Sequence, residues 1–294
     1  MADALSNWLA LREPVDVAAR SALLTREIAG AIGRHQPLSV LDLGAGTGSN
    51  VRYLAGRLPP PQRWLLVDRD PMLLADMRTR TSSWAADHGY VVSTDGDEAV
   101  IRGKQLDCHV ETRCLDLGGP TDPGIFSGRH LVTASALLDL VSAEWLETLA
   151  RQCRERGAAV LFALTYTGRS HCSPDEPEDD AICALMNRHQ RASDKGFGLA
   201  AGPDAIECAA RSFAEVGYHV RREASDWALP PDMRQLQRQL IEGWAHAALE
   251  IAPDQTGMIQ SWLARRLAHV EAGHSHVIVC HEDLAAWLPS AGPG

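Results

Sequence analysis

Short apolar runs alternate with segments of helical periodicity along much of the chain. The apolar runs predict buried parallel strands, because such strands carry apolar side chains on both faces. The segments between them repeat apolar residues at intervals of three and four and predict helices that pack on a sheet. The five predicted strands, each with any loop that follows it, lie at 38–43, 64–68, 110–117, 130–140 and 158–163. This alternation predicts an α/β fold with a doubly wound, mostly parallel sheet.

A glycine-rich turn follows the first predicted strand, in the order Asp42-x-Gly44-x-Gly46-x-Gly48. Glycines at such a turn let the backbone approach a bound ligand closely. The dinucleotide fingerprint has glycines at relative positions one, three and six, whereas here they stand at one, three and five. An acid at the strand end suits a ligand with a cationic or hydrogen-donating part, and it does not suit a pyrophosphate.

The pattern resembles the first motif of the class I S-adenosylmethionine-dependent methyltransferases, and three later segments resemble further motifs in the family's order. Asp68 ends the second predicted strand, 20 residues after Gly48, where an acid would bond both ribose hydroxyls. The resemblance implies that Asp116 and Leu117 hold the adenine, and that Ser135 stands in the loop facing the methyl group. It covers roughly residues 36–165 and implies a seven-stranded, Rossmann-like fold that binds S-adenosylmethionine.

Beyond this region the chain departs from the plainest family pattern. The last two predicted strands, 217–223 and 275–280, are expected to pair, one of them inserted antiparallel, yet about 50 residues separate them. The segments 90–93 and 98–101 flank an Asp-Gly turn and predict a hairpin at the sheet edge.

The predicted organisation has three parts. Residues 1–35 form an N-terminal helical segment, including an amphipathic helix over 15–34. Residues 36–229 and 274–294 form the core, and 230–273 form a helical insertion. That insertion and the excursion 168–203 leave the carboxyl ends of predicted strands, where ligands bind in open parallel sheets. We expect both to act as lids over the cofactor; the alternative is that they only extend the core.

Candidate residues for the chemistry are fewer than those for cofactor binding. Asp139 follows the fourth strand and is a candidate base, with a helix-capping role as the alternative. His189, in the first excursion, is a second candidate, although a lone histidine is more often structural. Arg20, like Arg12, is placed to reach the methionine carboxylate or a substrate acid, or else is a solvated surface residue.

Composition excludes several classes of function. The formal net charge of −10 argues against a nucleic-acid substrate and against binding to anionic membranes. The seven cysteines include no Cys-x-x-Cys pair, and no residue set with metal-ligand spacing stands out, so no metal is expected. Free thiols, no signal-like N-terminal pattern and no long apolar run predict a cytoplasmic protein.

The sequence therefore predicts an enzyme that transfers a methyl group to an oxygen or nitrogen of a small-molecule acceptor. The region after the fourth strand lacks the Asn/Asp-Pro-Pro-aromatic motif of enzymes that methylate exocyclic amines, and no Pro-Cys occurs. Two alternatives remain: a nicotinamide-dependent oxidoreductase, and a non-catalytic binding protein with a cofactor fold. The oligomeric state is left open.

Overall fold

The computed structural model describes residues 2–33, 35–118 and 123–289. The helices in these ranges are α1 (Ala2–Ala19), α2 (Ala22–Ala31), α3 (Ser49–Leu54), α4 (Pro71–Asp87), α5 (Ala143–Arg156), α6 (Asp179–Ala192), α7 (Ala205–Glu215), α8 (Arg234–Ile251) and α9 (Thr256–Glu271). The strands are β1 (Leu38–Leu43), β2 (Gln62–Asp68), β3 (Val91–Asp95), β4 (Glu98–Gly103), β5 (Leu106–Cys114), β6 (Leu131–Ser135), β7 (Ala159–Ser173), β8 (His219–Ala224), β9 (Trp227–Leu229) and β10 (His276–Trp287).

Five parallel strands form the centre of the sheet, in the order β5-β2-β1-β6-β7. Apolar side chains from both faces of these strands are buried in two clusters, one on each side of the sheet. The chain order reverses between β1 and β6, which makes the carboxyl edge at that point the expected ligand site. The predicted doubly wound, mostly parallel sheet is thus confirmed.

The sheet has ten strands in the described ranges, not the seven predicted. The hairpin β3–β4 adds two antiparallel strands beside β5, where a hairpin was predicted, and β9 pairs with the first part of β10. Without these three additions, the order β5-β2-β1-β6-β7-β10-β8 remains, with β10 antiparallel to both of its neighbours. This is the seven-stranded arrangement that the resemblance implies.

The last two strands do pair, but β10 pairs through residues that the sequence did not assign to a strand. Glu282–Trp287 of β10 pair with β8, whereas the predicted strand ended at Cys280. Because the run His281-Glu282-Asp283 is polar, this half of the strand lacks the continuous apolar pattern that predicts a buried strand. Burial of Asp283 is possible because its carboxylate accepts hydrogen bonds from the backbone N–H groups of Ser21 and Leu164, each at 2.8 Å.

The single amphipathic helix predicted over 15–34 is wrong, because two helices meet at Ser21. The Ser21 side chain caps α2 by accepting a hydrogen bond from the N–H of Leu24 at 3.1 Å, and its own N–H is held by Asp283. A capped break of this kind satisfies backbone groups that a helix start leaves free.

A third apolar cluster lies beyond the carboxyl end of the parallel strands. β7 continues to Ser173 as an antiparallel ribbon with β10, past the boundary predicted at 168. Helices α6, α8 and α9 pack together around this ribbon, and fully buried Arg266 of α9 binds Asp179 at the start of α6. Within the described ranges, we find no helix long and apolar enough to cross a membrane.

Candidate functional site

A cavity of about 310 Å³ opens at the carboxyl edge of the sheet, where β1, β2, β5 and β6 end. Five of the sequence-predicted residues line it. They are Gly44, Gly46, Asp68, Leu117 and Ser135. The structure therefore brings together predicted residues from four separate motifs, at the point where the strand order reverses.

The glycine turn has the backbone conformation that only glycine adopts freely. Gly44, Gly46 and Gly48 all have positive φ, at 64°, 51° and 79°, in the region where a side chain is strained. Gly48 lies outside the cavity lining, and a Cβ there would stand 2.4 Å from the Cγ of Met77. The third glycine thus allows close packing of α4, while the first two face the cavity.

Asp68 is held by two backbone amides at the cavity wall. Its Oδ2 accepts a hydrogen bond from the N–H of Gly46 at 2.8 Å, and its Oδ1 accepts one from the N–H of Asp70 at 2.9 Å. Each carboxylate oxygen has a second lone pair. The carboxylate is therefore oriented by the protein and retains acceptor capacity for two ligand hydroxyls.

Asp42 lies behind the cavity and acts on it through Asn50. Its carboxylate is fully buried, and Oδ1 accepts a hydrogen bond from Nδ2 of Asn50 at 2.6 Å. Burial raises the pKa of Asp42 to about 7, against the opposing effects of Asn50 and Arg20. Asn50 lines the cavity and Asp42 does not, so Asp42 orients an amide that faces the cavity, and its own part in cofactor binding stays a prediction.

Arg20 also lies behind Asn50, outside the cavity lining. Its Nη1 donates to Oδ1 of Asn50 at 2.9 Å, and its guanidinium stacks 4.6 Å from the ring centroid of Tyr53. Burial lowers the pKa of Arg20. Arg20 and Asp42 therefore fix both ends of the Asn50 amide. Arg12, for which the sequence predicted the same role as for Arg20, does line the cavity.

The far side of the cavity is closed by a loop of the first excursion. Lys195 and Phe197 line the cavity together with Leu115 and Leu117. The loop is fixed by a hydrogen bond of 2.8 Å from Arg69 to the carbonyl of Lys195 and by an edge-on contact between Phe197 and Trp145. Asp116 is exposed, does not line the cavity, and accepts from the N–H of Gly118 at 2.9 Å.

Helix α1 covers the glycine turn. Leu9 lies so close that a methyl group added to Gly46 would stand 3.4 Å from its Cδ1. Leu5, Arg12 and Asp16 complete the α1 wall of the cavity. The contact is reinforced by Glu13, which binds the buried guanidinium of Arg52 just after the turn.

The chain leaves β6 in a strained conformation. Ala136 has φ of 51°, and Leu164, in the adjacent strand β7, has φ of 58°, values that cost energy for residues with a side chain. Ala136, Leu137 and Leu140 line the cavity, whereas Asp139, in the same turn, is buried and is not among the lining residues. Burial raises the pKa of Asp139 to about 6, partly offset by a bond within its own turn and by Arg12.

His189 lies outside the cavity lining, at the contact between α6 and α8. Its Nε2 is 2.8 Å from Oε2 of Glu250. This geometry gives no support to the prediction of a catalytic role and matches the structural alternative. The insertion 230–273 contributes no residue to the cavity lining either; α8 and α9 pack on the third apolar cluster instead.

Several lining residues escaped the sequence analysis. Arg69 directly follows Asp68, a predicted site residue, so its place in the sequence could have indicated that it lines the cavity. Leu5 and Leu9 have helical spacing, which is a signal for the covering helix α1, whereas the predicted amphipathic helix begins only at residue 15. Nothing in the local pattern points to Asn50 or Lys195, because their positions depend on tertiary packing.

No family model and no curated protein matches this chain. Several solved structures that resemble it in overall arrangement are named as methyltransferases. One is an S-adenosylmethionine-dependent methyltransferase from Geobacter sulfurreducens in complex with S-adenosyl-L-homocysteine, with 14% identity, TM-score 0.44, and 92% of each chain covered.

Two others are a cyclopropane synthase from Mycobacterium tuberculosis and a putative sarcosine dimethylglycine methyltransferase from Galdieria sulphuraria. The first has 10% identity, a TM-score of 0.43 and coverage of 89% of this chain and 82% of the other. The second has 12% identity, a TM-score of 0.41 and coverage of 88% and 81%. These values are too low to carry an argument about this chain, so the fold rests on the strand order described above.

Proposed function

We propose that this protein is an S-adenosylmethionine-dependent methyltransferase that acts on an oxygen or nitrogen of a small-molecule acceptor. The observation that carries the proposal is the meeting of Asp68, the glycine turn and the end of β6 around one cavity at the strand-order reversal. The glycine turn allows close approach of a ligand, and Asp68 offers oriented acceptors for a ribose.

The residues of the cavity have separate roles in this proposal. Asp68 binds the two ribose hydroxyls, and Leu117 packs on the adenine with Phe197 opposite. Asn50, Thr47 and the backbone of the glycine turn bind the methionine part. The bound donor supplies an activated methyl group on a positive sulfur, so the protein mainly aligns the acceptor and excludes water.

The acceptor enters from the side of α1 and the end of β6 in this proposal. Ser135, Ala136 and Leu140 form the wall of the cavity there, beside Arg12 and Asp16. Asp139 is the buried acid in the turn that follows β6 and is the candidate group that takes up a proton.

Thermal unfolding with candidate cofactors tests the proposal. S-adenosylmethionine and S-adenosylhomocysteine are expected to raise the melting temperature. A ligand at a hundredfold excess over its Kd increases the free energy of unfolding by about 2.7 kcal/mol. NAD is expected to have no effect. A shift with NAD alone would favour the oxidoreductase alternative, and no shift with either S-adenosylmethionine or S-adenosylhomocysteine would contradict the proposal.

A further inference from the structure

Arg12 of α1 is held at the cavity wall with part of its guanidinium left free. Its Nε and Nη2 donate to the two carboxylate oxygens of Asp16 at 3.0 and 3.2 Å, and its Cζ lies 4.9 Å from the ring centroid of Trp227. Asp16 in turn accepts a hydrogen bond of 3.0 Å from Nε1 of Trp227. A guanidinium has five N–H groups, so this pairing and stacking fix its orientation while using only two of them.

The free edge of this guanidinium remains accessible. Nη1 of Arg12 makes no hydrogen bond within the described ranges, and it is not one of the buried atoms that lack a partner. The side chain is 13% exposed, and Arg12 is one of the residues that line the cavity. Nη1 and the second N–H of Nη2 therefore form an oriented pair of donors. Such a pair on a planar cation matches the two oxygens of a carboxylate.

Arg12 lies beyond the methionine end of the proposed donor site. That site runs from the ends of β5 and β2 to the glycine turn after β1, whereas Arg12 packs on Trp227 of β9. Its charge acts on Asp139, after β6, and on His281 of β10, and these strands lie on the side of β1 away from β2. For the methionine carboxylate, Thr47 lines the cavity with an N–H that makes no hydrogen bond within the described ranges. Arg12 is therefore left for the acceptor.

The cavity wall around Arg12 is apolar. Leu5 and Leu9 share the cavity-lining face of α1 with Arg12, because the three residues follow helical spacing, and Ala136 and Leu140 line the cavity from the turn after β6. Such walls suit the hydrocarbon part of a ligand. The bound donor adds a positive sulfur to the cavity, and this charge attracts an anion strongly where water is excluded. The acceptor side thus offers one oriented cation within apolar surroundings.

We propose that the methyl acceptor is a small organic acid, and that Arg12 binds its carboxylate while its apolar body lies against α1 and the turn after β6. This inference rests on the proposed function and narrows it to one class of substrate. The sequence left two partners open for Arg12, the methionine carboxylate and a substrate acid, and the position of Arg12 favours the second. A phosphate would bring a further negative charge beside Asp16. Arg12 binds the acceptor and takes part in no bond change.

Matched acids and amides test the inference by binding alone. Ligand-observed NMR would compare phenylacetate with phenylacetamide, and 4-methylpentanoate with its amide, on protein saturated with S-adenosylhomocysteine. We expect both acids to bind, and the amides, which have the same shape without the charge, to bind about tenfold or more weakly. Equal affinities within each pair, or no binding of either acid, would overturn the inference alone. If S-adenosylhomocysteine itself did not bind, the proposed function would fail as well.

Arg12→Gln locates the carboxylate. It is expected to weaken binding of both acids about tenfold to a hundredfold, the range for charge-assisted hydrogen bonds, and to leave the amides unaffected. Arg151→Gln changes an exposed arginine of α5 outside the cavity lining and should alter neither affinity. Because Arg12→Gln leaves Asp16 without its cation, the double variant Arg12→Gln/Asp16→Asn replaces it if it does not fold. Unchanged acid affinity in a folded variant without Arg12 would contradict the assignment.

A second comparison separates the two sources of a carboxylate. S-adenosylhomocysteine carries the amino-acid carboxylate of the donor, whereas 5′-methylthioadenosine has the same nucleoside and sulfur without it. Calorimetry on Arg12→Gln should give the same ratio of the two affinities as in the wild-type protein. A loss of about tenfold or more for S-adenosylhomocysteine, with unchanged affinity for 5′-methylthioadenosine, would show that Arg12 binds the donor and would overturn the inference.

Discussion

Glu13 of α1 and Arg52 of α3 form a two-pronged ion pair over the glycine turn. The guanidinium Nε and Nη2 lie 2.7 and 2.6 Å from the two carboxylate oxygens, and Nη1 donates to the carbonyl of Thr47 at 2.6 Å. The Arg52 side chain is 3% exposed, so its charge depends on Glu13 for compensation. One side chain thus connects the helix that covers the cavity with the turn that forms its floor.

Glu13→Gln is therefore expected to destabilise the protein and to weaken donor binding together. It leaves a buried cation without its counter-charge, which costs about 2 kcal/mol or more, and it loosens α1 above the turn. Chemical denaturation and calorimetry with S-adenosylhomocysteine measure the two effects. Glu155→Gln removes the acid of an exposed pair with Arg156 and should change the free energy of unfolding by less than about 0.5 kcal/mol. Equal behaviour of the two variants would refute the role given to Glu13.

Asp68→Asn should weaken donor binding while the fold is retained. Asparagine keeps the shape and one oxygen for the N–H of Gly46, but its amide nitrogen cannot accept from the N–H of Asp70, and the charged acceptor for the ribose is lost. The affinity for S-adenosylhomocysteine is expected to fall about tenfold to a hundredfold by calorimetry. Asp70→Asn is the matched control, because asparagine still caps α4, where Asp70 now accepts from the N–H of Met72. Comparable losses in both variants would argue against a ribose contact at Asp68.

Gly118→Ala should displace the loop that carries Lys195 and Phe197. A Cβ on Gly118 would lie 1.9 Å from the carbonyl oxygen of Gly196, so one backbone segment must move. We expect a weaker affinity for S-adenosylhomocysteine and a lower melting temperature. Gly243→Ala, within α8, adds its methyl group in open space and should stabilise the protein by about 0.5 to 1 kcal/mol. Wild-type affinity in Gly118→Ala would mean that the loop does not contribute to the donor site.

Asp42 makes stability depend on pH in a defined direction. Burial raises its pKa from 3.8 to about 7, so the folded protein binds the proton more tightly than the unfolded chain does. Its contribution to stability is complete below about pH 4 and is lost as the pH rises through 7. Asp42→Asn should remove this loss and be more stable than wild type at pH 8, by up to about 4 kcal/mol, but not at pH 4. Denaturation curves at pH 4 and pH 8 test this prediction. An Asp42→Asn protein less stable than wild type at pH 8 would contradict it.

Hydrogen exchange with and without S-adenosylhomocysteine can show which of the two predicted lids responds to the ligand. S-adenosylhomocysteine should increase protection in the glycine turn, in α1 and in the loop 193–200, which line the cavity. The amides of α9 should stay unchanged, because α8 and α9 pack on the third apolar cluster and contribute no lining residue. Protection confined to the glycine turn and its strands would show that neither excursion acts as a lid.

The parallel centre of the fold and the motif residues at its edge were predictable from sequence because each depends on a local pattern. Apolar runs define β1 and β2, and the acids and glycines at strand ends follow directly from them. The register of the strands then brings Asp68 and Gly46 together without further information.

The second half of β10 and the break at Ser21 were not predictable in this way. Asp283 interrupts an apolar pattern, and only its bonds to Ser21 and Leu164, distant in sequence, make it acceptable in the sheet. Similarly, Asn50 lines the cavity because Asp42 and Arg20 orient it. Such positions depend on partners that a single sequence does not identify.

Lys195 at the cavity also gives a direct way to observe the site without substitutions. The chain has only two lysines, Lys104 and Lys195, among 28 basic Lys and Arg residues. Lys104 lies in the exposed turn between β4 and β5, at the amino end of β5 and therefore at the opposite edge of the sheet from the cavity. An amine-reactive reagent would therefore label two side chains besides the N-terminus. The mass of the peptide that contains Lys195 would report how well a bound molecule shields the cavity, and the peptide that contains Lys104 would serve as an internal reference.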